Sequence, residues 1–435
     1  MHPRVLIVGT VPYNKQSTSR AFDAYFRNWE KENLAQIFSN TKKPCKGHCG
    51  TLFQITDQRM LKRRFNRNIE TGEIFNYDEL ETAWTDNDLE VGSRLYSGLY
   101  RIGTNKTSLL RLARKAIWKK KYWNTDKLNK WLDDFDPECV FLSFSDDFFI
   151  LEIALYVAEK YDIPIVSSTG DDYYFNDSFS LSPFYHIYRS KYKALNRKVF
   201  AHRGSAIYIG DKIRDKYNSE FGLNGETIYL ASEIDRGPFK PIDRDSPKIT
   251  YCGNIRLGRD RSLIAVARAL KKYNGSYKLT VYSNENDPAY IKRMERESGI
   301  DFLGSVPYSK VKNEIETSDV VVIVEGFSEK DVRTVRYSVS TKVADSVASG
   351  RFILTYGSGE CGAVEQMKRL DCGAVCESPE ELDRMIPVIF EDTAYQKRCY
   401  DNSEAAHNKY YLPEDNASRF ERIVKKAIDE YDNGQ

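Results

Sequence analysis

The stretch Tyr337–Gly359, YSVSTKVADSVASGRFILTYGSG, holds the residues of this 435-residue chain best suited to chemistry. Ser338, Ser340 and Thr341 lead into Lys342, and Val343 to Ala348 reads as a short helix closed by Ser349-Gly350. A helix that starts Ser-x-Ser-Thr-Lys gathers free backbone N–H groups, hydroxyls and one cation at its positive end, a place for an anion and typically a phosphate. An ordinary N-cap on a surface helix uses the same residues. Two further loops carry matching groups. Gly253-Asn254-Ile255-Arg256, with Arg261 just beyond, supplies cations, and Gly304-Ser305-Val306-Pro307 allows close backbone approach. A diphosphate held by Arg, Lys and backbone N–H groups needs no Mg²⁺, because those groups can stabilise charge developing on a leaving nucleotide.

The elements that must position these loops alternate strand and helix. Val5–Val8 enters a glycine turn at Gly9, and Gln36–Phe38 reads as a second strand. Cys139–Leu142, Ile163–Val166 and Ala206–Ile209 follow, with unbroken apolar strands that indicate a parallel sheet covered on both faces. After a Pro-rich bridge at 236–247 the pattern repeats in Lys248–Cys252, Lys278–Tyr282, Ile300–Gly304, Val320–Val324 and Phe352–Thr355. A long amphipathic helix, Pro413–Tyr431, closes the chain. Residues 40–100 show no clear period.

Composition excludes several classes. The net charge of +2 points to neither nucleic acid binding nor an acidic tail. No apolar run reaches the roughly 18 residues that span a bilayer, and eight irregularly spaced cysteines suit reduced packing thiols and a cytoplasmic chain. Cys45, His48 and Cys49 offer three soft ligands, one short of a structural zinc site, so no metal is expected. No dinucleotide glycine fingerprint and no Walker lysine loop occurs, which argues against nicotinamide, flavin and phosphoryl-transfer chemistry. Between Val91 and Thr125 stand nine Lys or Arg and no Asp or Glu. Around Leu109, Leu112, Ala113, Ala116 and Ile117 this forms a basic amphipathic helix, and 106–123 reads either as a contact for an anionic membrane surface or as a solvated helix on its own domain.

The second half resembles the nucleotide-sugar-binding half of a GT-B glycosyltransferase, and is most similar to family 4 and its bacterial polysaccharide enzymes. The resemblance rests on Tyr251-Cys252-Gly253-Asn254 with Arg256, on Phe302–Pro307, on Ser318-Asp319-Val320 with Glu325, and above all on Ser338-x-Ser340-Thr341-Lys342-x-x-Asp345-x-x-Ala348-Ser349-Gly350-Arg351. It covers about 245–430; in the first half only the Gly9 loop and the alternation are similar. It implies an α/β chain of GT-B architecture, two Rossmann-like doubly wound domains facing across a cleft. The domains would be 1–235 for the acceptor and 248–412 for the nucleotide sugar, joined by 236–247, with helix 413–435 packing back on the first.

Carried over, the resemblance places Arg256 and Lys342 on the donor diphosphate with Ser340 and Thr341 assisting. The backbone at Val306 would face the base and Asp345 the ribose, and Gly9, Gly253, Asn254, Arg261, Ser283 and Ser305 complete the donor-binding set. Tyr337 stands where the family's Glu-x7-Glu pattern has its first acid, which leaves Glu325 as the acid at a comparable strand end. Asp171 and Asp172 follow a strand where related enzymes carry a His-Asp pair; they are either acceptor-side carboxylates or turn caps. The expected activity moves a sugar from a nucleoside diphosphate sugar, a UDP-sugar first among them, to a glycan or lipid-linked acceptor in cell-surface polysaccharide synthesis. It would be retaining, with no metal and no cofactor beyond the donor, in the cytoplasm or at the inner face of the membrane. The alternatives are a non-catalytic partner of the same fold, a sugar-nucleotide epimerase or a phosphorylase.

Overall fold

The computed structural model describes residues 2–12, 24–41, 43–82 and 107–434. The helix expected after Ser17–Arg20 and the part of the basic stretch before Thr107 lie outside the described residues. The chain divides into two compact units, one of residues 1–227 with 417–435 and one of residues 228–416.

The first unit is built on an eight-stranded sheet of order β4-β3-β2-β1-β5-β6-β7-β8. Its strands are β1 Val5–Val8, β2 Leu34–Phe38, β3 Thr51–Ile55, β4 Gly72–Asn76, β5 Cys139–Ser143, β6 Ile165–Thr169, β7 Gly204–Tyr208 and β8 Glu226–Thr227. All neighbours run parallel except β3 and β4. The unreadable stretch after residue 40 thus holds the edge strand β4 and its neighbour β3, on either side of the helix Asp57–Phe65 in sequence. Gly9 ends β1 with φ +96°, and a Cβ there would lie 2.2 Å from the Ser143 carbonyl oxygen, so glycine is required for β1 and β5 to leave the sheet side by side. From the helix Pro413–Asp432, Phe420 is fully buried among Tyr25, Phe26, Trp29 and Phe141, and the Tyr431 hydroxyl donates to Asp162 at 2.8 Å.

The second unit carries a six-stranded parallel sheet of order β11-β10-β9-β12-β13-β14. The strands are β9 Ile249–Cys252, β10 Leu279–Tyr282, β11 Ile300–Gly304, β12 Val320–Val324, β13 Phe352–Tyr356 and β14 Ala374–Cys376. β12 reads VVVIV and is buried at every position, as a central parallel strand covered on both faces must be. The strand order reverses between β9 and β12, the switch point where open α/β sheets leave a crevice at the carboxyl ends of the strands. The crevice has a backbone cause. β9 and β12 pair only at Ile249–Val320 and Thr250–Val321 and then splay, whereas β12 and β13 stay paired over all five residues of each.

Candidate functional site

Four segments meet where β9 and β12 part. From β9 come Tyr251 and Cys252, with Gly253 just after it; Glu325 follows β12 directly; Arg259 opens the helix Arg259–Tyr273; and Lys342 lies in the first turn of the helix Thr341–Ser349. Ser340 caps that last helix, its hydroxyl accepting the Lys342 N–H at 3.3 Å. Lys342 then folds back over the end of β9. A Cβ at Gly253, whose φ is +153°, would sit 1.8 Å from Lys342 Cε, so the lysine stem occupies the space that any other residue at 253 would fill.

The charges here are unequal. Glu325 is buried and takes a two-pronged ion pair from Arg259, Nε to Oε2 at 2.9 Å and Nη2 to Oε1 at 3.0 Å. Burial raises the Glu325 pKa, and the Arg259 and Lys342 charges oppose that rise. The ammonium of Lys342 makes no ion pair among the described residues. Its contacts are the Ser340 hydroxyl at 3.5 Å and the ring of Tyr251, 5.6 Å to the centroid. Loss of water around it pushes its pKa down to about 8, and Arg259 pushes the same way against Glu325, Cys252 and Asp345. Cys252 is pushed up to about 12 by burial, so it carries no compensating charge at neutral pH. Lys342 thus stands beside a helix N-terminus with no ion-pair partner among the described residues, an arrangement that can hold an anion, while Glu325 and Asp345 act on its charge from the surroundings.

The other sequence-nominated residues of this unit are distributed around that point. Arg256 is half exposed and its guanidinium grips Glu285 at 2.6 and 2.7 Å, holding that buried carboxyl down at about 2. Asn254 is exposed and turns its side-chain oxygen to the Arg256 N–H at 2.6 Å. Ser283 is buried, its N–H bound to the Gly304 carbonyl at 2.9 Å, which ties the ends of β10 and β11 together. Ser305 and Thr341 are exposed, and Val306 is half-buried. Asp345 is buried and accepts the Ser232 hydroxyl at 2.7 Å. Arg261 faces a small cavity of about 180 Å³ with Gly258, Phe327 and Asp331. Arg259 was missed by the sequence reading. Its signal is a cation at the first position of the helix that leaves the first strand of the unit, facing the acid that ends β12.

In the first unit, a cavity of about 780 Å³ lies beyond the carboxyl ends of β5 and β6, lined by Arg111, Asp146, Asp172, Tyr173 and Tyr188 among others. Asp172 is buried and one of its oxygens takes three donors: the Tyr174 N–H at 3.1 Å, the Phe175 N–H at 2.8 Å and the Tyr217 hydroxyl at 2.8 Å. These bonds cap the turn, and the same residue lines the cavity. Asp171 is exposed. The cations Arg111, Arg114 and Lys115 of the basic helix Ser108–Ile117 are paired inside this unit, with Asp146, with Asp57 and Asp147, and with Glu152. Among the described residues no His, Cys, Asp or Glu cluster of three or more could hold a metal, and Cys45 and Cys49 are buried thiols.

Comparison with solved structures places both units in one known architecture. HepE of Anabaena, in complex with UDP and glucose, aligns with a TM-score of 0.57 at 10% identity over 98% of this chain and 100% of that one. Sucrose-phosphate synthase of Thermosynechococcus elongatus gives 0.54 at 10% identity over 98% and 99%. A putative UDP-N-acetylglucosamine 2-epimerase of Listeria monocytogenes gives 0.51 at 10% identity over 100% and 98%. The fold is GT-B, with two Rossmann-like units. No protein-family model and no curated protein sequence matches the chain.

Proposed function

We propose that the chain is a glycosyltransferase that takes its sugar from a nucleoside diphosphate sugar, with UDP as the first candidate nucleotide. The observation that carries the reading is Lys342. It is a desolvated cation at a helix N-terminus, laid against Gly253 at the switch point and without a carboxylate of its own. A diphosphate there supplies the missing negative charge. The N–H groups around Thr341 and the Lys342 ammonium hold the phosphate nearest the sugar, and Arg256 leaves Glu285 to take the other. As the sugar leaves, these cations stabilise the charge that grows on the diphosphate, which is the role a metal would otherwise fill. The GT-B neighbours named with UDP and glucose, or as sucrose-phosphate synthase, support a sugar-nucleotide substrate. A retaining course, a lipid-linked or glycan acceptor, a family 4 relationship and independence of metal belong to this proposal.

The epimerase neighbour gives a second reading its footing. The test is a thermal-shift panel of UDP, GDP, TDP and CDP without metal, followed by turnover of the matching sugar nucleotide with and without acceptor. Ligand at a hundred times its Kd adds about 2.7 kcal/mol of stability. A shift with one diphosphate and turnover only with acceptor supports the transferase. Turnover of donor alone to an isomer supports the epimerase, and silence with all four nucleotides refutes both.

A further inference from the structure

The first unit exposes a group of apolar side chains that its own fold does not use. Phe179 is 90% and Leu181 87% exposed, and Phe184, Ile187 and Leu109 beside them are 44%, 45% and 53% exposed. The first two sit on the loop that leads into the helix Pro183–Ala201, and this loop is built. The Tyr185 hydroxyl takes the Ser178 N–H at 2.7 Å, His186 bonds the Ser180 carbonyl at 2.8 Å, and Arg189 clamps Asp177 at 2.7 Å. A loop held in this way pins Phe179 and Leu181 where water is their neighbour, which a fold without a partner for them has no reason to do.

The surroundings select the partner. Phe184 and Ile187 line a groove of about 690 Å³ together with Leu112, Lys119, Lys120, Lys191 and Lys198, against which stand Glu159 and the Glu152 already paired with Lys115. The cations of the helix Ser108–Ile117 are spent on internal carboxylates, but Lys119, Lys191 and Lys198 form no ion pair among the described residues. Exposed Phe184 and Ile187 share a groove with unpaired lysines, and Phe179 and Leu181 protrude from the loop just before them, which matches the interface of a bilayer carrying anionic lipid, apolar tips in the acyl boundary and ammonium groups at the phosphates. We propose that residues 178–187, with Lys119, Lys191 and Lys198, form a docking surface for an anionic membrane. Loop residues Ser178, Ser180 and Ser182 also line the cavity of about 780 Å³ in the same unit. Docking therefore sets the mouth of that cavity at the lipid surface. The inference stands apart from the transferase reading, since it concerns adsorption and not turnover.

The experiment is co-sedimentation of the full chain with vesicles of phosphatidylcholine alone and of phosphatidylcholine with roughly 30 mol% phosphatidylglycerol, at low salt and at about 0.5 M NaCl. Binding to the anionic vesicles that weakens with salt is expected. The pair Phe179→Ser/Leu181→Ser should lower the partition coefficient about a hundredfold, near tenfold per apolar side chain. Lys191→Glu/Lys198→Glu should lower it at least about twentyfold on anionic vesicles only. Both pairs change exposed residues, and unaltered melting temperatures establish that they fold. Absence of wild-type binding, or binding that neither pair reduces, overturns the proposal. So does concentration-dependent dimerisation, abolished by Phe179→Ser/Leu181→Ser, in a chain that ignores vesicles; the patch would then be a contact between copies.

Discussion

Lys342 links donor binding to pH, and the size of the effect follows from its surroundings. With a free-state pKa of about 8, roughly nine-tenths of the ammonium groups carry a proton at pH 7 and roughly one-tenth at pH 9. A bound diphosphate favours the charged form and raises that pKa, so binding takes up a proton above pH 8. The Kd for UDP should therefore be flat below about pH 7.5 and rise about tenfold between pH 7 and 9, near 1.4 kcal/mol. The phosphate's own second ionisation, near pH 6, is complete before this window opens. The neighbouring groups stay fixed across it, since burial raises the pKa values of both Tyr251 and Cys252, the latter to about 12. The same residue has an opposite effect on the empty protein. Its pKa falls from 10.5 to about 8 on folding, so at neutral pH the charged lysine costs the fold up to about 3 kcal/mol, and stability rises as the pH climbs from 8 towards 10.5. Lys342→Met should raise the melting temperature by several degrees at pH 7, at 2–4 °C per kcal/mol, while weakening UDP roughly 10- to 100-fold, the worth of a charged hydrogen bond. Isothermal titration across pH 6.5–9.5 (a range of about three units) with both proteins, and a melt of each without ligand, measure both effects. A wild-type Kd that does not change between pH 7 and 9, or a Lys342→Met protein with the same pH slope, would refute the argument.

Glu325→Gln removes a charge that holds the Lys342 pKa up, so the midpoint of the UDP pH profile should move below that of the wild type in the same titration. Arg259→Met strands the buried Glu325 carboxylate and should destabilise the fold by about 3–5 kcal/mol in urea melts; a loss below about 1 kcal/mol would mean the pair is solvated. Gly253→Ala sets a Cβ 1.8 Å from Lys342 Cε, and is expected to displace the lysine and abolish the pH dependence of UDP binding seen by calorimetry. Asp172→Asn keeps the oxygen that accepts from Tyr174, Phe175 and Tyr217, so turnover should persist within a few-fold, whereas Asp172→Ala should cost about 1–3 kcal/mol of stability. Loss of turnover in a stably folded Asp172→Asn protein would restore the carboxylate to the chemistry.

What the sequence made legible is what depends on local pattern. A short β-branched run such as VVVIV at 320–324 reads as a covered strand, and the strand–helix repetition carried the fold class. Lys342 could be found because its helix begins with its own cap, Ser340. What stayed hidden depends on partners far away in the chain. Arg259 was passed over between Arg256 and Arg261, because Gly258 before it carries no side chain to mark the helix start at Arg259. The charge run at 111–115 looked available to a membrane because its carboxylates, Asp57, Asp146, Asp147 and Glu152, come from other segments. The helix Pro183–Ala201 was not read because buried Arg189 and Asn196 interrupt its apolar period. The Tyr217 hydroxyl that donates to Asp172 comes from 45 residues further along, a partner that no local pattern shows.

The difference between Glu325 and Lys342 is what separates a structural ion pair from a ligand site in this unit. Glu325 and Arg259 satisfy one another with two aligned contacts, so their charges leave little field to act on a ligand. Lys342 lies in the same desolvated space and has only a hydroxyl at 3.5 Å and an aromatic face. A lysine placed for stability alone would turn to solvent or meet an acid, since burying an ammonium without one is unfavourable by several kcal/mol. Here the stem is held down by the one residue type at 253 that leaves it room. Both Glu325 oxygens already accept from Arg259, so Lys342 would have to compete with those two contacts to pair with it. The fold thus keeps one cation unsatisfied at a helix N-terminus, and the free energy it forgoes becomes available when a phosphate arrives. That coupling is why one substitution, Lys342→Met, should strengthen the empty protein and weaken the complex together.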